Sequence, residues 1–192
     1  FDGFDVTSNG SSISNGGDID NDGKDDIIIG NPEKNTSRGV DSGTAYVVFG
    51  NTALNLDGIS NIDGSNGTNT LSFYGRGASD YAGYSVSGIG DINSDGYADF
   101  AIGATSGGDD GKFYVVFGDT RTDLIALASS SNASGLQNVL DGTSGFYSTN
   151  TPFSASANPS AGSSISPIGD FNGDTFDDFI VNLDGVGLSL VI

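Results

Sequence analysis

The sequence predicts an all-β protein in which three four-stranded antiparallel units stack as an array, and three observations carry that reading. An Asp-rich phrase occurs three times: DIDNDGKDD from Asp18 to Asp26, DINSDGYAD from Asp91 to Asp99 and DFNGDTFDD from Asp170 to Asp178. The copies start 73 and then 79 residues apart, a period that suits four strands better than one hairpin. Each phrase runs into a strand-like apolar stretch, and the β-branched and aromatic run YVVFG occurs at Tyr46 and again at Tyr114.

In chain order, FDGFDV, TSNG and SSIS read as a strand, a turn and a second strand leading into the first acidic phrase. IIIGNP follows, then a polar link holding Glu33, Lys34 and Arg38, then the strand GTAYVVFG. Residues 51–72, rich in Asn, Gly and Ser, read as a long surface connection, and LSFYG resumes the strand pattern. The second unit repeats this as YSVSGIGD, loop, FAIGAT and KFYVVFGD. Residues 119–162 read as a longer Ser- and Asn-rich connection in which LIALA is either a strand or one helical turn, while LDGTSGFYS matches the earlier run from LNLDG to SFYG. The third unit gives SSISPIGD, its loop, FIVNLDG and VGLSLVI, three strands only. Phe1–Val6 is then a strand without a unit, and the expectation is that it completes the third sheet, in its own chain or beside Val186–Ile192 of another copy.

Composition narrows the chemistry. With 35% hydrophobic residues and 31 glycines, short strands and many turns are expected, in one domain of 192 residues. The net charge is −19, and of 25 acids all but Glu33 are Asp. Short carboxylates crowded into glycine-bearing turns explain that bias, because Asp reaches a metal or its own backbone where Glu overshoots. At 4 Å each like-charge pair costs about 1 kcal/mol in water and about 4 at an intermediate dielectric, so such loops call for a cation. Oxygen-only donors select a hard one, and Ca²⁺ takes about 6 to 8 oxygens. Six Lys and Arg in total cannot track a phosphate backbone, which excludes nucleic acid as a partner. No Cys is present, so metal sites take the place of disulfides as clamps, and millimolar free Ca²⁺ points to an extracellular or cell-surface location. VGLSLVI is far too short to span a bilayer, so no membrane insertion is expected. The absence of Met predicts a mature or excised piece of a longer product.

Phe49-Gly50 and Phe117-Gly118, Ile102-Gly103-Ala104 with its partner Ile29-Gly30-Asn31-Pro32, and the three acidic loops together make a pattern that resembles the FG-GAP repeats of the integrin α-subunit β-propeller and of related bacterial surface proteins. The resemblance implies that each repeat is a propeller blade: blade 1 over about 7–75, blade 2 over about 76–148, and blade 3 over about 160–192, completed by residues 1–6. It also implies one structural Ca²⁺ in the hairpin between the first two strands of each blade, up to three in all. The implied ligands are Asp18, Asp20, Asp22, the carbonyl of Lys24 and Asp26 in the first loop. In the second they are Asp91, Asn93, Asp95, the carbonyl of Tyr97 and Asp99, and in the third Asp170, Asn172, Asp174, the carbonyl of Phe176 and Asp178. Thr175 stands where the other loops have Gly23 and Gly96, which predicts strain in the third turn. An EF-hand is disfavoured, since Ile29 occupies the twelfth position and the flanks are strand-like. Propellers close with about 4 to 8 blades, so three are incomplete as a single-chain ring.

Function follows in the same terms. The expected role is a calcium-stabilised extracellular module for adhesion or for binding a protein or glycan, with the Glu33–Arg38 link as its ligand-facing loop. The alternative is a self-assembling surface or filament subunit, a homo-oligomer joined by strand complementation. No enzyme is expected: the chain has no His, no Cys and no Trp, and its paired carboxylates are committed to metal. Asp80 and Asp123 are the acids a glycan-active alternative would have to use. Phe73, Tyr74, Tyr81, Tyr84, Tyr97, Phe113 and Tyr114 read for the most part as blade packing, with a glycan-stacking platform as the alternative, and Arg76 and Arg121 read as solvated residues in the links, with the grip of an acidic ligand as theirs.

Overall fold

The structure, a computed structural model, describes residues 12–50, 69–105, 111–138, 140–148, 160–184 and 188–191. The expected strand at residues 1–6 lies outside them. Three antiparallel sheets follow one another along the chain. The first has the order β1 (Ile13–Gly17), β2 (Asp26–Asn31), β3 (Thr44–Val48), β4 (Thr70–Tyr74). The second repeats it with β5 (Ala82–Gly90), β6 (Asp99–Ala104), β7 (Lys112–Val116) and β8 (Gly145–Tyr147). The third joins β9 (Ser160–Gly169), β10 (Asp178–Asp184) and β11 (Leu188–Val191). The described residues thus form a mostly β array, its three sheets consistent with the expected incomplete propeller-like all-β fold and without a closed barrel.

Alternation of side chains along a strand decides which sheet each residue meets. On β6, Phe100 and Ile102 face the first sheet and join Ile28, Val47, Leu71 and Phe73 in one core. Ala101 faces the other way and joins Phe113, Val115, Ile165, Phe179 and Val181 in a second core. All six residues of β6 are buried, because this strand lies in a sheet covered on both sides. Edge-to-face ring pairs mark both cores: Phe73 with Phe100 at 5.5 Å and Phe113 with Phe179 at 6.2 Å.

The sheets are also joined by a repeated backbone contact. Ser12 Oγ donates to the Gly83 carbonyl at 3.0 Å, and its counterpart Ser85 Oγ donates to the Gly162 carbonyl at 2.7 Å. Beside each serine a strand glycine, Gly30 or Gly103, leaves no room for a Cβ against the same carbonyl. Backbone therefore meets backbone at each junction.

The Ser- and Asn-rich connection after β7 contains a helix, α1 (Arg121–Ser134), where the sequence predicted LIALA as a strand or a single turn. Thr120 caps it by accepting from the Asp123 backbone N–H, and Gly135, at φ 85°, ends it. Its buried stripe is Leu124, Ala128 and Ser131. A serine in that stripe breaks the apolar periodicity by which a helix is recognised. No helix among the described residues is long and apolar enough to cross a membrane.

Candidate metal centres

The three acidic loops join β1 to β2, β5 to β6 and β9 to β10, and the second touches both the first and the third. The Ala98 N–H donates to the Asp18 carbonyl at 3.1 Å, and the Asp91 N–H to Asp177 Oδ2 at 3.1 Å. One hydrogen-bond scheme recurs in each loop. The first Asp accepts from the backbone four and five residues on: Asp18 from Asp22 and Gly23, Asp91 from Asp95 and Gly96, Asp170 from Asp174 and Thr175, at 2.8–3.1 Å. The chain is thereby curled around its own carboxylates. Two left-handed residues make the curl possible: Asn21 and Gly23, Ser94 and Gly96, Gly173 and Thr175.

Thr175, at φ 81°, is a β-branched residue in a region that glycine occupies without strain. Thr175→Gly is expected to stabilise the protein by about 1 kcal/mol in urea denaturation, with Thr175→Ala gaining less. A glycine variant no more stable than the parent would show that the turn carries no strain.

The last Asp of each loop opens the next strand and is buried. Asp26 accepts from the Ile19 N–H at 2.9 Å and the Gly50 N–H at 2.8 Å, and Asp99 from Ile92 at 2.9 Å and Gly118 at 2.8 Å. Each carboxylate therefore pins the start of its own loop to the Phe-Gly end of the third strand. The glycine is required there, since a Cβ at Gly50 or Gly118 would lie 2.6 or 2.5 Å from the carbonyl oxygen of Asp25 or Ala98. Asp178 accepts from Phe171 at 2.8 Å and Asn172 at 3.2 Å, and the Asn172 side chain donates to its second oxygen at 3.4 Å. Burial pushes the carboxyl of Asp26 up to about 6 and that of Asp99 up to about 7, against the lowering effect of their N–H donors.

Of the expected ligands, Asp18, Asp20 and Asp22 are brought together: each offers a carboxylate oxygen, and these lie within 4.8 Å of one another. Asp20 Oδ1 is buried and has no hydrogen-bond partner. A close set of oxygen donors that includes one buried, unsatisfied carboxylate oxygen suits a hard cation. Asn93 and Asn172 take the place of Asp20 in the other loops, where each accepts the backbone N–H of the following acid, Asp95 at 3.0 Å and Asp174 at 2.9 Å. Asp95 and Asp174 in turn accept from the N–H of Tyr97 at 2.9 Å and Phe176 at 3.0 Å. Lys24 reaches back to Asp22 at 2.9 Å and, by that hydrogen bond, holds its carboxyl below the usual range.

Arg121, expected as a solvated link residue, is partly buried against the first acidic loop. Leading α1, it donates to Asp20 Oδ2 at 2.5 Å, approaches Asp22 Oδ2 at 3.5 Å and lies 4.1 Å over the Phe49 ring. No local pattern foretells a contact between residues 101 positions apart. Arg38, expected in a ligand-facing loop, donates to the carbonyls of Arg76 at 3.0 Å and Ala133 at 3.2 Å, fastening that loop to the end of α1. Asp80 is buried against the Arg76 N–H at 2.9 Å and the Tyr114 hydroxyl at 3.2 Å, with its carboxyl raised by burial, and Asp123 is engaged at the α1 cap. Phe73 and Tyr114 are fully buried as expected, whereas Tyr84 is half exposed.

Two segments of the chain, residues 9–48 and 82–116, match a family model described as FG-GAP repeat. They span the first three strands of the first two sheets, with one acidic loop in each.

Proposed function

This chain carries repeats of the FG-GAP family, and from that premise we propose that it is a calcium-stabilised extracellular module for adhesion or for binding a protein or glycan. The observation that carries the calcium part is the grouping of Asp18, Asp20 and Asp22, with Asp20 Oδ1 buried and unsatisfied. Asp18, Asp20 and Asp22 would hold the ion in the first loop, and Asp91, Asn93 and Asp95, then Asp170, Asn172 and Asp174, would serve in the other two. The ion supplies charge neutralisation, which lets each hairpin close on its own carboxylates. A metal-clamped end leaves the opposite loops free to vary, and these are the natural place for a ligand.

Calorimetry in chelator and in excess Ca²⁺ tests this. A site at a hundredfold excess over its dissociation constant contributes about 2.7 kcal/mol, and about 2–4 °C per kcal/mol for a chain of this size predicts a rise in Tm of several degrees per site. Identical melting in the two conditions would remove the calcium reading.

A second reading, a self-assembling surface subunit, is favoured by the outer face of the first sheet. Ile13 and Ile27 are 71% and 47% exposed, although their counterparts Val86 and Phe100 in the second sheet are buried against a neighbour. Light scattering of the calcium-loaded protein at micromolar concentration separates the readings, since a monodisperse monomer would leave only the binding module. The expected pairing of Phe1–Val6 beside Val186–Ile192 of another copy involves a strand, Phe1–Val6, that lies outside the described residues.

A further inference from the structure

We propose that Arg121 is a built-in counter-cation for the first acidic loop, holding that loop closed without metal and keeping its calcium affinity below what its carboxylates alone would give. The proposal rests on the calcium reading above and adds a regulator to one of its three sites.

Four observations converge on it. First, the guanidinium grips a single oxygen of Asp20, Oδ2, by both Nε and Nη2, and leaves Oδ1 buried without a partner. The Asp20 side chain is only 2% exposed, so its charge needs a neutralising neighbour whether or not a metal is bound. Second, Arg121 is held in position by contacts other than its own ion pairs, one of which ties the residues before the helix to the loop backbone. The Asp119 N–H donates to the Ile19 carbonyl at 3.2 Å, Thr120 caps the helix, and the Phe49 ring lies under the guanidinium. Third, Arg121 opens α1, where the helix dipole disfavours a cation; the carboxylates of Asp20 and Asp22 offset that cost.

The fourth observation compares the loops. The first has Asp20 where the others have the neutral Asn93 and Asn172, and Asp20 is the residue that Arg121 engages. Among the described residues Asp91, Asp95, Asp170 and Asp174 form no ion pair. The additional carboxylate at the third loop position and the guanidinium therefore come as a matched pair: with five Asp, Lys24 and Arg121 the first loop stands at −3, beside −3 for the three Asp of the second and −4 for the four Asp of the third. A cation entering the first loop meets Asp20 Oδ1 across a carboxylate that Arg121 has already partly neutralised. The same ion pair ties metal occupancy in the first sheet to α1, which belongs to the connection after β7.

Site-resolved titration tests the proposal, with the Gly23 amide resonance reporting on the first loop and thermal melting in chelator reporting on its closure without metal. In Arg121→Gln the Gly23 signal is expected to respond to Ca²⁺ at a concentration at least about tenfold lower than in the parent, while melting in chelator falls. The double variant Asp20→Asn with Arg121→Gln gives the third loop position the neutral Asn of the sister loops and should recover both the parental response and most of the lost stability. An unchanged calcium response in Arg121→Gln, with normal binding elsewhere, overturns the proposal alone. Absence of calcium binding at every loop of parent and variants overturns the calcium reading and the proposal with it.

Discussion

Gly103→Val is expected to lower stability by more than about 3 kcal/mol in urea denaturation, enough to part the second and third sheets. A Cβ at Gly103 would overlap the Gly162 carbonyl oxygen and crowd Ser85 Oγ. The obstacle is backbone in a neighbouring sheet, so no side-chain rotation relieves it, and a shift large enough to do so would open the core around Phe113 and Phe179. Gly30→Val should act likewise between the first and second sheets, where the Gly83 carbonyl stands in the same relation. Gly77→Ala, with nothing within 4 Å of its added carbon, serves as the control and should change stability by no more than about 0.5 kcal/mol. Should Gly103→Val melt with the control, close backbone approach is not what holds the sheets together.

Asp99→Ala should rank next, at about 3 kcal/mol. Asp99 is fully buried and is the acceptor for two backbone N–H groups, Ile92 and Gly118, both of which would be left without a partner. The same residue gives stability a pH dependence of defined sign. Its folded carboxyl titrates at about 7, raised from the ordinary 3.8 by burial, so the folded state binds a proton more readily than the unfolded chain does. The resulting stabilisation is complete below pH 3.8 and is lost as pH rises through 7. Asp26, raised to about 6, works in the same direction. In chelator, melting temperature should therefore fall between pH 4 and pH 8, and less steeply in Asp99→Ala than in the parent. Equal slopes for the two proteins would mean that Asp99 titrates in the folded state as it does in the unfolded chain.

Much of the fold was legible because its signals are local and repeated. The acidic phrases place the hairpins, and β3 and β7 lie within the two YVVFG runs. LSFYG and GFY become the fourth strands β4 and β8. Aligning the loops also exposed Thr175 as the odd residue, and its backbone is left-handed. The remainder depends on contacts that no short window contains. Helix α1 was hidden because its buried face includes Ser131 and because apolar runs as short as LIALA fit either period. The recurrence of Phe-Gly was plain, but its cause is a hydrogen bond from Gly50 or Gly118 to a carboxylate 24 or 19 residues earlier. Asp26 and Asp99, read only as metal ligands, thus have a second role as staples. Arg121 was misplaced for the same reason, since nothing near it in sequence announces Asp20.

The glycine seam between sheets has a polarity. Aligned on their opening Asp, β2 carries Gly30, β6 carries Gly103 and β10 carries Asn182 at the same position. Asn182 donates instead to Ser163 within its own sheet, at 3.3 Å. The third sheet thus has a side chain where the other two present bare backbone, and the close approach made by Gly30 and Gly103 is not available to Asn182. The first sheet keeps Ile13 and Ile27 uncovered on its outer side. Among the described residues the two outer faces of the array are therefore unlike, one apolar and uncovered and the other bearing a side chain at the seam position, so they do not match each other as the inner faces do.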